Sequence, residues 1–206
     1  MFRLSVFLVL FLGSPAYADL FAAAGRLENA FGRGTCSAAL IEPDVIITAA
    51  HCVTEAEGYH FRVATTDEFE PIAVSQVVIH PLYTAFRGNR FRRLSFDIAI
   101  AKLSEPVDAS VATPFTIGGE ASDGVGLFVS SWTAWRERPR ERRCVVIEGQ
   151  VPAVVTLGCN VFGGESGAPL MRLTDDGVEL VAVVNSRLEQ GDRSFALATD
   201  ARLRVK

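Results

Sequence analysis

A basic excess is missing from this sequence: 20 Lys and Arg stand against 24 Asp and Glu, a formal net charge of −4 over 206 residues. That balance argues against nucleic-acid binding as the main task, which needs a positive surface. Long apolar runs are also missing beyond the N-terminus. Charge, Gly or Pro interrupts every downstream hydrophobic stretch within a few residues, well short of the ~20 apolar residues of a membrane-crossing helix. No repeat or low-complexity tract is present. Neither a Cys-x-x-Cys pair nor a Cys/His pair at finger spacing occurs, which weakens a zinc reading. Asp67, Glu68 and Glu70 form one short acidic run without the further partners a calcium loop needs. No metal and no cofactor are therefore expected. Helical amphipathicity is scarce too; Asp19–Ala30 is the nearest candidate and reads as an arm or pro-segment.

What is there supports a folded body. Side chains are 49 % hydrophobic and 21 % charged, enough for one globular domain or one made of two packed halves. At the N-terminus Arg3 precedes the run Val6–Leu12, Gly13-Ser14-Pro15 breaks it, and Ala16-Tyr17-Ala18 offers a small–x–small cleavage site. Residues 1–18 thus read as a signal peptide, and the mature protein as secreted or periplasmic with no stable membrane insertion after its removal. In an oxidising compartment the four cysteines read as two disulfides. Chain order suggests Cys36–Cys52 and Cys144–Cys159, although four cysteines allow three pairings. Each such bridge closes a short loop and stabilises by roughly 3 kcal/mol on the loop-entropy account. Arginines cluster at Arg87, Arg90, Arg92 and Arg93 and again at Arg136, Arg138, Arg140, Arg142 and Arg143. Solvated loops are the first reading of both clusters, ahead of a site for an acidic ligand or a cleavage-prone loop.

Along the chain, short β-branched and aromatic runs alternate with turn residues. The expected strands are 38–41, 45–48, 60–65, 71–79, 97–103, 125–131, 144–155, 168–173, 178–185 and 194–198. Glu42-Pro43-Asp44 places Pro second in a turn, and Asp175-Asp176-Gly177 and Gln190-Gly191-Asp192 read as hairpin tips. About ten short strands without long helices point to a sandwich or to barrels. Residues 105–119, with Pro106, Pro114, Gly118 and Gly119, are the natural division into halves.

Three local patterns carry chemistry. Thr48-Ala49-Ala50-His51-Cys52 ends an apolar strand, Asp97-Ile98-Ala99-Ile100-Ala101-Lys102-Leu103 opens another, and Gly163-Gly164-Glu165-Ser166-Gly167-Ala168-Pro169 is glycine-rich around a serine. A serine hydroxyl needs a neutral imidazole to take its proton during attack on a carbonyl carbon, and the imidazole needs a carboxylate to hold its tautomer. His60 opens a strand and His80 ends one, so His51 is the candidate base. In wording and in the order His, Asp, Ser, the three patterns resemble the chymotrypsin-like serine peptidase family. The resemblance runs from about residue 33 to about residue 199.

That resemblance implies an all-β fold: two six-stranded antiparallel Greek-key barrels packed together, with the active site in the cleft between them. It sets residues 19–33 apart as an arm or pro-segment, then a peptidase domain over 34–206, with barrels at about 34–115 and about 120–206. It assigns the base to His51, its partner to Asp97, the nucleophile to Ser166, and the oxyanion-binding amides to Gly164 and Ser166. It also pairs Cys36 with Cys52. The implied activity is peptide-bond hydrolysis through an acyl-enzyme, acting as a monomer on protein or peptide substrates. An idle homologue that only binds partners, or an esterase with weak peptidase activity, are the alternatives.

Three positions depart from the family pattern. Glu165 stands where members activated by clipping carry an Asp that pairs with a newly made N-terminus, and no Arg or Lys followed by Ile-Val-Gly-Gly precedes Cys36. Asn160 falls where trypsin-like members place the Asp that attracts Arg or Lys. Arg187, after the substrate-binding segment Val184-Asn185-Ser186, stands where many members have Gly. The expectation is a substrate-binding group of Asn160, Asn185 and Arg187 that does not select Arg or Lys.

Overall fold

Short apolar runs, each cut off by a turn residue, satisfy their backbone groups by pairing side by side, and closing the sheet on itself leaves no open edge. The computed structural model describes residues 20–29, 35–54, 58–63, 70–122, 124–133, 135, 138–147 and 151–204. The expected leader at 1–18, Arg136 and the Asp67–Glu68 part of the acidic run lie outside them.

Six strands form the first barrel: β1 (Ala24–Asn29), β2 (Thr35–Glu42), β3 (Val45–Thr48), β4 (Tyr59–Val63), β5 (Ile72–Ile79) and β6 (Ala99–Leu103). They follow the order β1-β2-β3-β6-β5-β4, and β1 pairs with β4 to close the cylinder. A two-residue strand, β7 (Thr116–Ile117), leads to the second set. This comprises β8 (Gly126–Ser131), β9 (Arg140–Ile147), β10 (Val154–Leu157), β11 (Pro169–Thr174), β12 (Gly177–Gln190) and β13 (Arg193–Asp200). Its order is β11-β8-β9-β10-β13-β12, closed by the β11–β12 pairing, with β7 added in parallel to β12. The fold is thus the double antiparallel barrel that the resemblance implies.

Leu27, Leu40, Ile46, Ile47, Phe61 and Leu103 fill the first barrel. Gly25 in β1 makes room for that filling, because a Cβ there would come within 2.4 Å of both the Phe61 ring and the Arg62 carbonyl. Leu127, Val129, Leu157, Leu170 and Val184 fill the second. Met171, Leu180 and Val183 from the second barrel belong to the first cluster, so apolar packing runs across the junction. Disulfides Cys36–Cys52 and Cys144–Cys159 each staple a strand to a neighbouring turn, in the chain-order pairing.

Several elements differ from the expected ones. The Ala24–Asn29 segment, placed in an arm by the sequence, is a full barrel strand; its Ala-Gly-Arg-Leu-Glu-Asn wording has few strand formers and is held by pairing on both sides. Residues 144–155 do not form one strand. β9 starts earlier and stops at Ile147, and β10 begins only after a turn through Pro152 and Ala153, the latter at φ 60. Two single-turn helices occur around the first arginine cluster: α1 (Pro81–Ala85) precedes it and α2 (Arg90–Leu94) lies within it. Their caps explain them: His80 Nδ1 accepts from Leu82 N–H ahead of Pro81, and Asn89 Oδ1 accepts from Arg92 N–H. The three expected turns, at Pro43-Asp44, Asp175-Asp176 and Gly191-Asp192, are all present.

Candidate active site

Strand register brings the first two candidates together. β3 and β6 are antiparallel with Thr48 opposite Ala99, so His51, three residues past Thr48, meets Asp97, two residues before Ala99. His51 sits in a 3-10 turn, Ala50–Val53. Its backbone N–H donates to Asp97 Oδ1 at 2.9 Å, and its Nδ1 lies 2.8 Å from Asp97 Oδ2. Because a carboxylate only accepts, the contact keeps a proton on Nδ1 and leaves Nε2 bare in the neutral ring. The Asp97 side chain is buried while the His51 ring is 36 % exposed, so one end of the pair is fixed and the other is open to a reactant.

Ser166 lies in a tight turn ahead of β11. Glu165 N–H donates to Phe162 O, Ala168 N–H to Glu165 O, and Gly167 N–H to Val184 O at 2.7 Å. Ser37, fully buried in β2, ties this turn to the first barrel. Its N–H donates to Ser166 O at 2.7 Å, its hydroxyl donates to Gly164 O, and it accepts from Trp132 N–H. The residue before it, Cys36, is bridged to Cys52 beside His51, and both sulfurs lie within 4.8 Å of a His51 ring nitrogen. A disulfide and one hydrogen-bonded serine therefore link the histidine to the Ser166 turn. Those sulfurs are oxidised and offer no thiolate to a metal. Among the described residues, no hydrogen bond joins His51 to Ser166, and the Gly164 and Ser166 N–H groups donate to no protein acceptor.

Gly167 is required where the turn meets the barrel. Its φ is 84, and a Cβ there would sit 1.9 Å from Ser37 O and 2.3 Å from Thr48 Oγ1. Gly167→Ala is expected to cost roughly 2–4 kcal/mol of stability, the sum of left-handed strain and displacement of the turn from Ser37. Thermal or urea unfolding measures this. An unchanged midpoint would mean that the turn is not seated on Ser37.

Glu165 is fully buried and points away from the cleft. Its Oε1 accepts from Arg142 Nη1 at 3.0 Å and Ser131 Oγ at 2.8 Å, and its Oε2 from Arg142 Nη2 at 3.0 Å and Phe162 N–H at 2.8 Å. Burial holds the Arg142 guanidinium below the usual arginine range, opposed by the Glu165 charge. Arg140 stands 3.7 Å from Oε1 and lies over the Phe162 ring. The second arginine cluster is therefore not wholly a solvated loop: β9 alternates, and Arg140 and Arg142 share the inward phase of Cys144 and Val146. That phase is the signal from which Arg142 could have been found in the sequence.

The three expected substrate-binding residues are not brought to one place. A cavity of about 440 Å³ opens beside Ser166, lined by Trp135, Val161, Phe162, Val184, Ser186 and Arg187 among others. Arg187 borders it, 43 % exposed and paired to Glu189 at 2.7 Å. Asn160 is exposed outside that lining and accepts from Ser194 Oγ at 3.0 Å. Asn185 is buried, and its amide donates to Leu94 O and Thr199 Oγ1. Thr199 donates to Leu94 O as well. Asn185 and Thr199 thus grip the segment that leads into Asp97, a role the sequence did not reveal.

The other histidines serve elsewhere. His80 stacks on Phe96 and caps α1, and burial lowers its pKa. His60 lies within β4.

The family model described as Trypsin matches residues 13–200. Serine protease SSP1 of Scolopendra subspinipes is 24 % identical over 212 residues, covering 84 % of this chain and 71 % of the relative. Kallikrein-2 of Homo sapiens is 27 % identical over 175 residues, covering 68 % of this chain and 66 % of the relative. Ovochymase of Halocynthia roretzi is 29 % identical over 109 residues, 47 % of this chain but only 7 % of that larger protein. With the family model spanning both barrels and the paired His51 and Asp97, this chain belongs to the trypsin family of serine-type endopeptidases.

Proposed function

We propose that the chain hydrolyses peptide bonds through an acyl-enzyme, with Ser166 as nucleophile, His51 as general base and Asp97 as the group that orients and stabilises the imidazolium. One observation carries the reading: both Asp97 carboxylate oxygens are taken by His51, which leaves Nε2 as the open basic atom of the ring. His51 takes the hydroxyl proton as Ser166 attacks the carbonyl carbon. The oxyanion meets the Gly164 and Ser166 amides, and His51 then returns the proton to the departing amine. Water repeats the sequence on the acyl-enzyme and releases the acid.

The cavity lined by Val161, Phe162, Val184 and Arg187 would receive the side chain before the scissile bond. Among the described residues that line it the one charge, Arg187, is positive, and Asn160 supplies no carboxylate. Cleavage after Arg or Lys is therefore disfavoured. Arg187 is half open to water and already paired with Glu189, so Arg187→Ala is expected to shift preference among acidic and bulky side chains by no more than about fivefold in kcat/KM. A peptide library on both proteins measures this, and a clear preference for Arg or Lys in the wild type would overturn the pocket assignment. Export fits the leader at 1–18 and the two disulfides; a monomer working outside the cytoplasm is the proposed state. Among the described residues, no helix is long and apolar enough to cross a membrane.

Casein and matched peptide and ester substrates test the activity itself. Endoproteolysis with amide turnover is the expected result. Ester turnover alone would reduce the chain to an esterase, and no turnover of either would make it an idle binding homologue.

A further inference from the structure

A buried carboxylate with no counter-charge is so costly that it must be matched by whatever the chain can supply. Glu165 immediately precedes Ser166, is 0 % exposed, and directs its carboxylate into the second barrel rather than the cleft. Both oxygens are already served by donors of the same chain: the Arg142 fork at 3.0 and 3.0 Å, Ser131 Oγ and Phe162 N–H. The Phe162 contact makes the turn self-locking, because Glu165 N–H returns a bond to Phe162 O at 3.1 Å. The peptide carrying Gly164, at φ 95, lies inside that lock. Arg142 itself is held by barrel strands, since β9 pairs with β8 with Arg142 opposite Val129 and Arg140 opposite Ser131. Among the described residues, every donor to this carboxylate comes from within the second barrel and its turn.

We propose that Arg142 is the positioning residue of the Ser166 turn: its guanidinium holds Glu165 so that the Gly164 and Ser166 amides and the Ser166 hydroxyl are set as the second barrel folds, without an ammonium from a newly cut N-terminus. This rests on the reading of Ser166 as nucleophile. The bidentate fork matters as well as the charge. A lysine at 142 would neutralise Glu165 as a point charge but would not fix the plane of its carboxylate. The consequence for regulation is an enzyme competent on folding, whose control lies in its export and its substrates rather than in clipping.

Two measurements test the proposal. First, the exported chain is purified with a short N-terminal extension and verified by intact mass as one uncut polypeptide, then assayed on peptide amide substrate. Full turnover is expected. Turnover that appears only after cleavage creates a new N-terminus would overturn the proposal. Second, Arg142→Ala and Arg142→Lys are compared with wild type. For a lost oxyanion arrangement the alanine variant should lose about 10²-fold or more in kcat with KM within a few-fold. Added guanidinium ion should recover part of that loss, and the lysine variant should fall between. Should the alanine variant fail to fold, as judged by circular dichroism and free-thiol titration, the lysine variant and the uncut-chain assay still decide. A folded variant at wild-type kcat, or a KM effect alone, removes Arg142 from this role while leaving Ser166 intact. A wild type that turns over nothing, cut or uncut, would instead sink the Ser166 reading itself.

Discussion

Ser166→Ala is expected to lower kcat for peptide hydrolysis by about 10⁶-fold, to a residue of catalysis of about 10³-fold over water that comes from the amides and substrate binding. The size follows from covalent chemistry: without the hydroxyl no acyl-enzyme forms, and His51 has only a poorly placed water to activate. The fold should not notice. Ser166 is held through its backbone, with its carbonyl accepting from Ser37 N–H, and among the described residues its hydroxyl is in no hydrogen bond. Unfolding midpoint and KM should therefore stay close to wild type, which separates loss of the nucleophile from collapse of the turn. Steady-state kinetics with a calorimetric scan measures both, and a variant within tenfold of wild-type kcat would dismiss Ser166.

Asp97→Asn is the second large effect, a fall of about 10⁴-fold in kcat with KM little changed. Asparagine keeps an oxygen that can accept from His51 N–H, as Asp97 Oδ1 does now at 2.9 Å, so the turn is preserved. Its other terminus is an NH₂ group facing Nδ1. Two donors cannot share that contact, so the ring must take the tautomer with its proton on Nε2, and Nε2 can then no longer accept from Ser166. A normal fold with four decades of lost kcat is the expected result. A loss of less than tenfold would mean that the 2.8 Å contact between His51 Nδ1 and Asp97 Oδ2 does not govern the tautomer.

Much of this was legible because it is local. A proline second in a turn, Asp-Asp-Gly and Gln-Gly-Asp at hairpin tips, and alternation in β-branched runs each depend on a few neighbouring residues. The words around His51, Asp97 and Ser166 singled out the three candidates, and chain order suggested the disulfide pairing that is found, one of the three possible. What stayed hidden depends on residues far apart. β1 has weak strand wording and exists because β2 and β4 flank it. Ser37 looks like any small residue in a strand; only closure of the barrels sets it beside Ser166. Arg142 sat inside an arginine-rich stretch whose composition suggests solvent, and its inward phase counts for something only once Glu165 is known to need a partner. Asn185 was read as part of the substrate-binding segment, yet it is the last buried position of β12 and its amide turns inward to Leu94 and Thr199. Specificity is the least legible part, since the cavity beside Ser166 is assembled from three separate segments around 135, 161–166 and 184–187.

The most direct test of the catalytic assignment is reaction of the folded, uncut chain with a serine-directed fluorophosphonate, followed by peptide mapping of the adduct. The expected result is one adduct on Ser166, absent from Ser166→Ala and formed far more slowly by Asp97→Asn. Labelling of the Ser166→Ala variant equal to wild type, or no labelling of the active wild-type protein, would contradict it.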